Sequence, residues 1–231
     1  MTTSTVWIRL LPDNDTQVQW CVARASVAAG GPTMVGDQRA MESIPWSDWS
    51  ADNRLDVRLI VPGEWVLSLP VALPPGTTDD LQKALPYAIE DCVSEDEDEW
   101  HCALAGTLSD GRHVAWVINR EVLIWALARL PRSATAVVPD YACIAPTTAL
   151  QDGERILVAL DAGLGGTVPA SWWQPWQRAL QATEPEYAAS LVTETRGDVH
   201  WFMAARLPID LPGNLLQGQF APQSSAQPWQ Y

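Results

Sequence analysis

The chain reads as a mixed α+β fold, and three observations predict it. Short strands fall in pairs around turn-forming residues, and residues 78–93 carry apolar side chains at helical spacing. The order strands, helix, strands, helix then recurs in shorter form from residue 151 onward, without a sequence repeat of fixed period.

At the amino terminus, Thr5 to Leu11 and Gln17 to Val27 flank the turn signal Asp13-Asn14-Asp15 and predict a first hairpin. Residues 28–53 are richer in Gly, Ser and polar side chains and predict mainly loop with a short helix at most. RLDVRLIV (Arg54 to Val61), Pro62-Gly63 and EWVLSL (Glu64 to Leu69) predict a second strand pair with a turn between.

The helix of residues 78–93 has a well-specified start. Thr77 is placed to act as N-cap with Asp80 as its capping-box partner, and Asp79 and Asp80 complement the positive end of the helix dipole. Leu81, Ala84, Leu85, Ala88, Ile89, Cys92 and Val93 form its apolar stripe. Pro86 falls on the opposite row, with Asp79, Gln82, Lys83 and Glu90, where a bend would curve the helix around its support. An unbroken acidic run, Glu95 to Glu99, follows almost directly and suggests a basic partner.

WHCALAGT (Trp100 to Thr107) and RHVAWVIN (Arg112 to Asn119) predict a hairpin across Asp110-Gly111. REVLIWALARL (Arg120 to Leu130) predicts a helix stopped by Pro131, and Thr135 to Val138 a short strand. Gln151 to Glu154 reads as a hinge, and ILVALD (Ile156 to Asp161) as the first strand of a second unit. Trp172 to Ala182 predicts a helix with Pro175 tolerated in its first turn. Leu191 to Thr195 and Val199 to Ala205 predict a hairpin, and PQSSAQPWQY at the end a disordered tail or linker.

Composition narrows the function. Of 231 residues 47% are hydrophobic, ample for a packed core, and 28 acidic against 14 basic residues leave a formal charge of -14. Lys83 is the single lysine, which opposes nucleic-acid binding, since phosphate contacts need clustered Lys and Arg. The 13 tryptophans are an unusual load for cores or interfaces. Cys21, Cys92, Cys102 and Cys143 show no CxxC pairing, the opening MTTSTVWIRL is unlike a signal peptide, and both point to a reducing cytoplasm. The longest apolar run, Val122 to Ala128, is far short of the roughly 20 residues of a spanning helix. His101, His113 and His200 are scattered outside any HExxH or GxSxG motif. In one strand His101 and Cys102 point to opposite faces, which opposes a shared metal.

Three segments carry a family resemblance: PGEWVLSLPVALPPG (Pro62 to Gly76), LPYAIED (Leu85 to Asp91) with its acidic continuation, and NLLQGQFAP (Asn214 to Pro222). In their order and separation they resemble the cytoplasmic part of the type II secretion system protein L family, GspL. The departures are mild: Ile89 for Leu, Cys92 for a usually polar residue and Gln219 for Glu. The resemblance implies a domain related to actin-like ATPases, with residues 1–62 and 108–150 as a first RNase H-like unit and 63–107 as a small inserted subdomain. Residues 151–213 would form the second such unit, and 214–231 a linker toward a single membrane helix outside this chain. It further implies a non-enzymatic scaffold without a cofactor, which holds the amino-terminal domain of the secretion ATPase, protein E, at the inner membrane. The full-length protein would pair with protein M in the periplasm.

Two candidate sites follow. Glu90, Asp91, Glu95, Asp96, Glu97, Asp98 and Glu99 would steer or contact basic residues of the ATPase. Asp161, Gly163 and Thr167 in DAGLGGT resemble a phosphate motif of the actin and sugar-kinase superfamily, but that site needs two facing turns. The first hairpin offers only LLPDNDTQ, without glycine, so the turn reads as degenerate. An intact second turn would instead indicate an actin-like nucleotide-binding protein or a pilus-assembly homologue. Trp172, Trp173 and Trp176 lie near one helical face and fit packing on a sheet, or self-association or contact with protein M.

Overall fold

The structure, a computed structural model, describes residues 4–12, 14–24, 34–40, 44, 46, 55–93, 99–195 and 212–222. The first hairpin is present: β1 (Ser4–Leu11) and β2 (Asn14–Arg24) pair antiparallel. Within residues 28–53, expected mainly as loop, the described stretch differs: β3 (Met34–Ala40) adds to the outer edge of β2. Its sequence, MVGDQRA, is poor in β-branched and aromatic residues, so pairing with a vacant edge decided the strand rather than propensity. On the other side of β1 lies β4 (Leu55–Val61), parallel to it. Val6, Trp7, Ile8 and Leu10 are all buried, since a strand covered on both faces has no solvent side.

The second expected hairpin does not form. After β4 the chain passes Pro62 and a 3-10 turn, Gly63–Trp65, and enters β5 (Val66–Val71), which belongs to a different sheet. Gly63 forces this path. A Cβ there would lie 2.2 Å from Thr167 Oγ1 and 2.7 Å from Asp140 Oδ1, so the turn is wedged into the interior instead of capping a surface hairpin.

Helix α1 (Thr78–Ile89) starts as expected. Asp80 N–H donates to Thr77 Oγ1 at 3.3 Å, and the Thr77 hydroxyl at 2.7 Å and then its N–H at 3.0 Å donate to Asp80 Oδ2, which holds the Asp80 carboxyl below the usual range. The helix ends sooner than expected, in a 3-10 turn at Glu90–Cys92. Its stripe is also narrower. Leu85 and Ile89 bury against Val71, Trp100, Ala115 and Val117, whereas Ala88 and Cys92 are exposed.

That sheet is completed by β6 (Trp100–Thr107) and β7 (His113–Asn119), paired across the expected turn with Gly111 at φ +87°. Helix α2 (Arg120–Ala128) follows, N-capped by the Asn119 side chain, and β8 (Ala136–Pro139) returns to run parallel to β4. Residues 151–154 are not a hinge. They form the turn between β9 (Thr148–Asp152) and β10 (Arg155–Ala159), an antiparallel pair joined by β11 (Gly165–Pro169). Helix α3 (Trp173–Thr183) and the unforeseen α4 (Pro185–Ser190) cover this sheet, and β12 (Val192–Thr195) pairs parallel to β9. The partner expected for β12, residues 199–205, lies outside the described residues, as does the tail beyond Pro222.

Among the described residues the strands form three sheets, ordered β3-β2-β1-β4-β8, β5-β7-β6 and β11-β10-β9-β12. The first and third share a topology: three antiparallel strands, then a fourth parallel to the first. The repeated element order seen in the sequence is thus a structural duplication, with the β5-β7-β6 sheet and α1 inserted in the first copy. One consequence is testable by thermal unfolding. Gly63→Ala should destabilise the chain by about 1–3 kcal/mol through overpacking, and an unchanged melting temperature would contradict the wedge.

Candidate functional site

In the duplicated topology the turn between β1 and β2 corresponds to the turn between β9 and β10, and where these regions face each other the structure places a cluster of charges. Arg9 on β1 is 2% exposed and pairs with Asp140 at 3.2 Å and with Asp152 at the end of β9. Arg155, opening β10, contacts both carboxylate oxygens of Glu64 at 2.9 Å, Asp152 at 2.5 Å and Asp140 at 3.5 Å. Asp140 also accepts the Gly63 N–H at 2.9 Å and the Thr167 hydroxyl at 3.3 Å. Burial opposes the charge of Asp152, but Arg9 and then Arg155 hold its carboxyl below the usual range. Burial likewise works against Arg155, and Asp140, Glu64 and Asp152 together raise it.

Burial pushes the Cys21 thiol up to about 12 and raises Cys143 as well, so neither supplies a thiolate at neutral pH. Among the described residues no group of three or more His, Cys, Asp or Glu could hold a metal ion.

The DAGLGGT segment is not the counterpart of the first hairpin turn, since it joins the second and third strands of its sheet. Its polar backbone is spent on the inserted sheet. The Gly163 carbonyl accepts Trp116 Nε1–H at 2.8 Å and the Ser68 hydroxyl at 3.4 Å, while Gly165 N–H donates to Ser68 Oγ at 3.2 Å. Leu164 N–H closes the turn on the Asp161 carbonyl at 2.7 Å. A Cβ at Gly163 would meet Ala105 at 2.9 Å, so protein fills the space beside it. Asp161 is half-buried, and the Thr167 side chain faces Asp140.

Of the acidic candidates, Glu90 and Asp91 are exposed in the turn after α1, and Glu99 is exposed just before β6, its carbonyl accepting Arg120 N–H at 2.8 Å. Glu95, Asp96, Glu97 and Asp98 lie outside the described residues. None of Glu90, Asp91 or Glu99 makes an ion pair among the described residues. Trp173 and Trp176 stack at 5.4 Å and pack on the third sheet, whereas Trp172 is exposed.

Residues 214–222, expected as linker, are a strap between two sheets. Asn214 Oδ1 accepts Val137 N–H at 2.9 Å, and Leu215 N–H donates to the Val137 carbonyl at 2.9 Å, which covers the edge of β8. Gln217 then satisfies both backbone groups of Leu104 on β6, accepting its N–H at 3.0 Å and donating to its carbonyl at 2.8 Å, and accepts Gln82 Nε2–H at 2.9 Å. Gln82, assigned to the solvent row of α1, therefore contacts the strap. His101 Nε2 lies 2.7 Å from the Leu215 carbonyl, with Phe220 edge-on at 4.8 Å, and Leu215 and Leu216 are buried.

A family model for the type II secretion system (T2SS), protein L, matches residues 7–223. The chain belongs to this family. The protein L of Dickeya chrysanthemi is 23% identical over 238 residues, covering 96% of this chain and 57% of that protein. The Vibrio cholerae protein L is 30% identical over 178 residues, 71% of this chain and 41% of that protein. The chain thus spans about half the length of these relatives. The cytoplasmic domain of Vibrio cholerae EpsL, an inner membrane component of the type II secretion system, superposes with a TM-score of 0.70 at 25% identity, covering 94% of this chain and all of that domain.

Sequence reasoning for this protein L chain missed Arg9, Asp140, Asp152 and Arg155. A signal existed: a lone arginine in VWIRLL and a lone aspartate in AVVPDYA are charges embedded in apolar strands, which fold only if paired. Their pairing across 131 residues was invisible. Replacing Asp140 by Ala should lower unfolding stability by roughly 3–5 kcal/mol, because it takes one of two carboxylates from the buried Arg9 and leaves the Gly63 N–H without its acceptor. Glu64→Gln, on a partly exposed partner, should lower it by less than about 1 kcal/mol, and denaturant titration compares the two. The strap adds a pH dependence. Burial first, and Arg120 in addition, lower the His101 pKa below 6.5 despite the Leu215 carbonyl. A base depressed in the folded state takes up protons on unfolding, so this stability is present above pH 6.5 and lost as pH falls through the folded value. His101→Gln should flatten the pH dependence of unfolding free energy between about pH 7 and 5.

Proposed function

We propose that this chain is the cytoplasmic scaffold domain of a type II secretion inner-membrane protein, anchored through segments outside it, and that it recruits the amino-terminal domain of the secretion ATPase, protein E. The observation that carries the proposal is an acidic edge with no internal use: Glu90, Asp91 and Glu99 are exposed and unpaired among the described residues. The run Glu95 to Asp98 continues it in sequence. A protein L domain with surplus negative charge at one end fits a basic partner, and charge so placed raises association rate more than affinity.

Recruitment is here a matter of binding rather than catalysis. The facing turns where a nucleotide clamp would close are tied to each other by Arg9 and Asp152, and in DAGLGGT the Gly165 N–H is taken by Ser68 of the inserted sheet and the Leu164 N–H by the turn itself. Protein E, and protein M through the rest of the protein, are the partners this reading assigns. Among the described residues no helix is long and apolar enough to cross a membrane.

Neutralising Glu95, Asp96, Glu97 and Asp98 together should slow association with the ATPase domain by roughly tenfold at low ionic strength and less at high salt, measured by stopped-flow or surface binding. An association rate indifferent to both the substitution and the salt would refute the steering role. Saturable ATP–magnesium binding at micromolar concentration would refute the non-enzymatic reading.

A further inference from the structure

Helix α1 stops short of the sheet it covers. Leu85 and Ile89 lie over the middle of the β5-β7-β6 sheet, and beyond Val93 the same face continues through Leu67, Val117 and Trp100. These three floor a groove of about 360 Å³, walled by Trp65 from the 3-10 turn, Val93 after α1 and Val122 at the start of α2. Trp125, one turn along α2 from Val122, extends the apolar wall, meeting Trp65 edge-on at 5.7 Å. Leu67 is 45% exposed and Trp125 40%, although the same chain fully buries Trp7 and Trp116 elsewhere. Apolar area left open beside a packed core marks a contact surface.

Glu64 in the lining is engaged by Arg155, and the residues next to the lining in sequence point to the occupant. Glu90 and Asp91 adjoin the groove-lining Cys92, Glu99 adjoins Trp100, and Glu121 adjoins Val122; all four are exposed and make no ion pair among the described residues. Of the nearby cations, Arg120 lines a different pocket, with Gln82, His101 and Gln217, and the Arg129 guanidinium is held over the Trp125 ring at 4.6 Å. We infer that this groove, between the end of α1 and the start of α2, receives the apolar face of an amphipathic segment of a partner protein whose flanks carry Lys or Arg. Large side chains seat on Leu67, Val117 and Trp65, and the basic flanks meet the four carboxylates. The inference deepens the recruitment reading by giving the acidic edge an apolar anchor, and it rests on that reading only for the partner's identity.

The test uses the whole chain and two probes of about 18 residues, a Leu–Lys amphipathic helix and its Leu–Glu counterpart, titrated by calorimetry and tryptophan fluorescence. Saturable binding of the Leu–Lys probe is expected, roughly tenfold weaker for Leu–Glu and roughly tenfold weaker for Leu67→Asp and Trp125→Ala. Leu67→Ser serves as a milder variant, and unchanged circular dichroism and melting confirm that each folds. Equal binding of both probes, no binding of either, or full binding by all three folded variants would overturn the groove. A parallel titration with the ATPase amino-terminal domain separates the two readings. If it binds parent and Leu67→Asp alike, recruitment stands and the groove falls; if it binds neither while the Leu–Lys probe still requires Leu67, the groove stands and recruitment by protein E falls.

Discussion

One carboxylate, fully buried, fixes how the parts of this domain meet. Asp140 receives a guanidinium from β1, approaches a second from β10, and accepts the N–H of Gly63 and the hydroxyl of Thr167. Those groups come from the first sheet, the third sheet and the turn that leads into the inserted sheet. A buried charge is tolerated only when its partners surround it. The three sheets are therefore held to one arrangement, because a displacement large enough to separate Arg9 from Asp140 takes from each buried charge one of the partners that compensate it. Hydrophobic burial stabilises each layer, but it is non-directional, and the ionic hub supplies the direction.

The same hub bears on what the domain can do. A duplicated strand topology brings two equivalent turns face to face, the place where a paired clamp for an anion would be built. Here Arg9 on one side meets Asp152 on the other, and Arg155 shares that carboxylate. They satisfy one another and draw the two copies together. The inserted sheet carries an open apolar groove, and Glu90, Asp91, Glu99 and Glu121 next to its lining in sequence are exposed and make no ion pair among the described residues.

The strap connects that sheet to the frame. Asn214 and Leu215 cap the edge of β8, and Gln217 caps Leu104 on β6, so two sheet edges that would otherwise expose unpaired backbone are closed by one short segment. The inserted sheet is thus tied to the first sheet at the strap and to the third at Trp116, Ser68 and Gly163. A partner seated on the inserted sheet would be coupled to the chain's carboxyl-terminal end through these bonds, not through a flexible hinge.

Much of this was legible in the sequence, for local reasons. Capping boxes, Asp-Gly turns and periods of 3.6 and 2 act within a few residues, so α1, its Thr77–Asp80 cap, the β6–β7 hairpin and α2 could be read directly, as could the mixed class and the three family segments. Tertiary structure alone decided the rest. Whether Pro62-Gly63 turns a hairpin or sends the chain into another sheet depends on Thr167 and Asp140, 77 residues and more away. MVGDQRA is a strand only because β2 offers it an edge, and NLLQGQFAP is a strap only because β8 and β6 lie within reach. Arg9 and Asp140 each look like an anomaly in an apolar run until the fold brings them to 3.2 Å. Periodicity encodes which face a residue takes, but which distant residue waits on that face is set by packing, and no spacing along the chain records it.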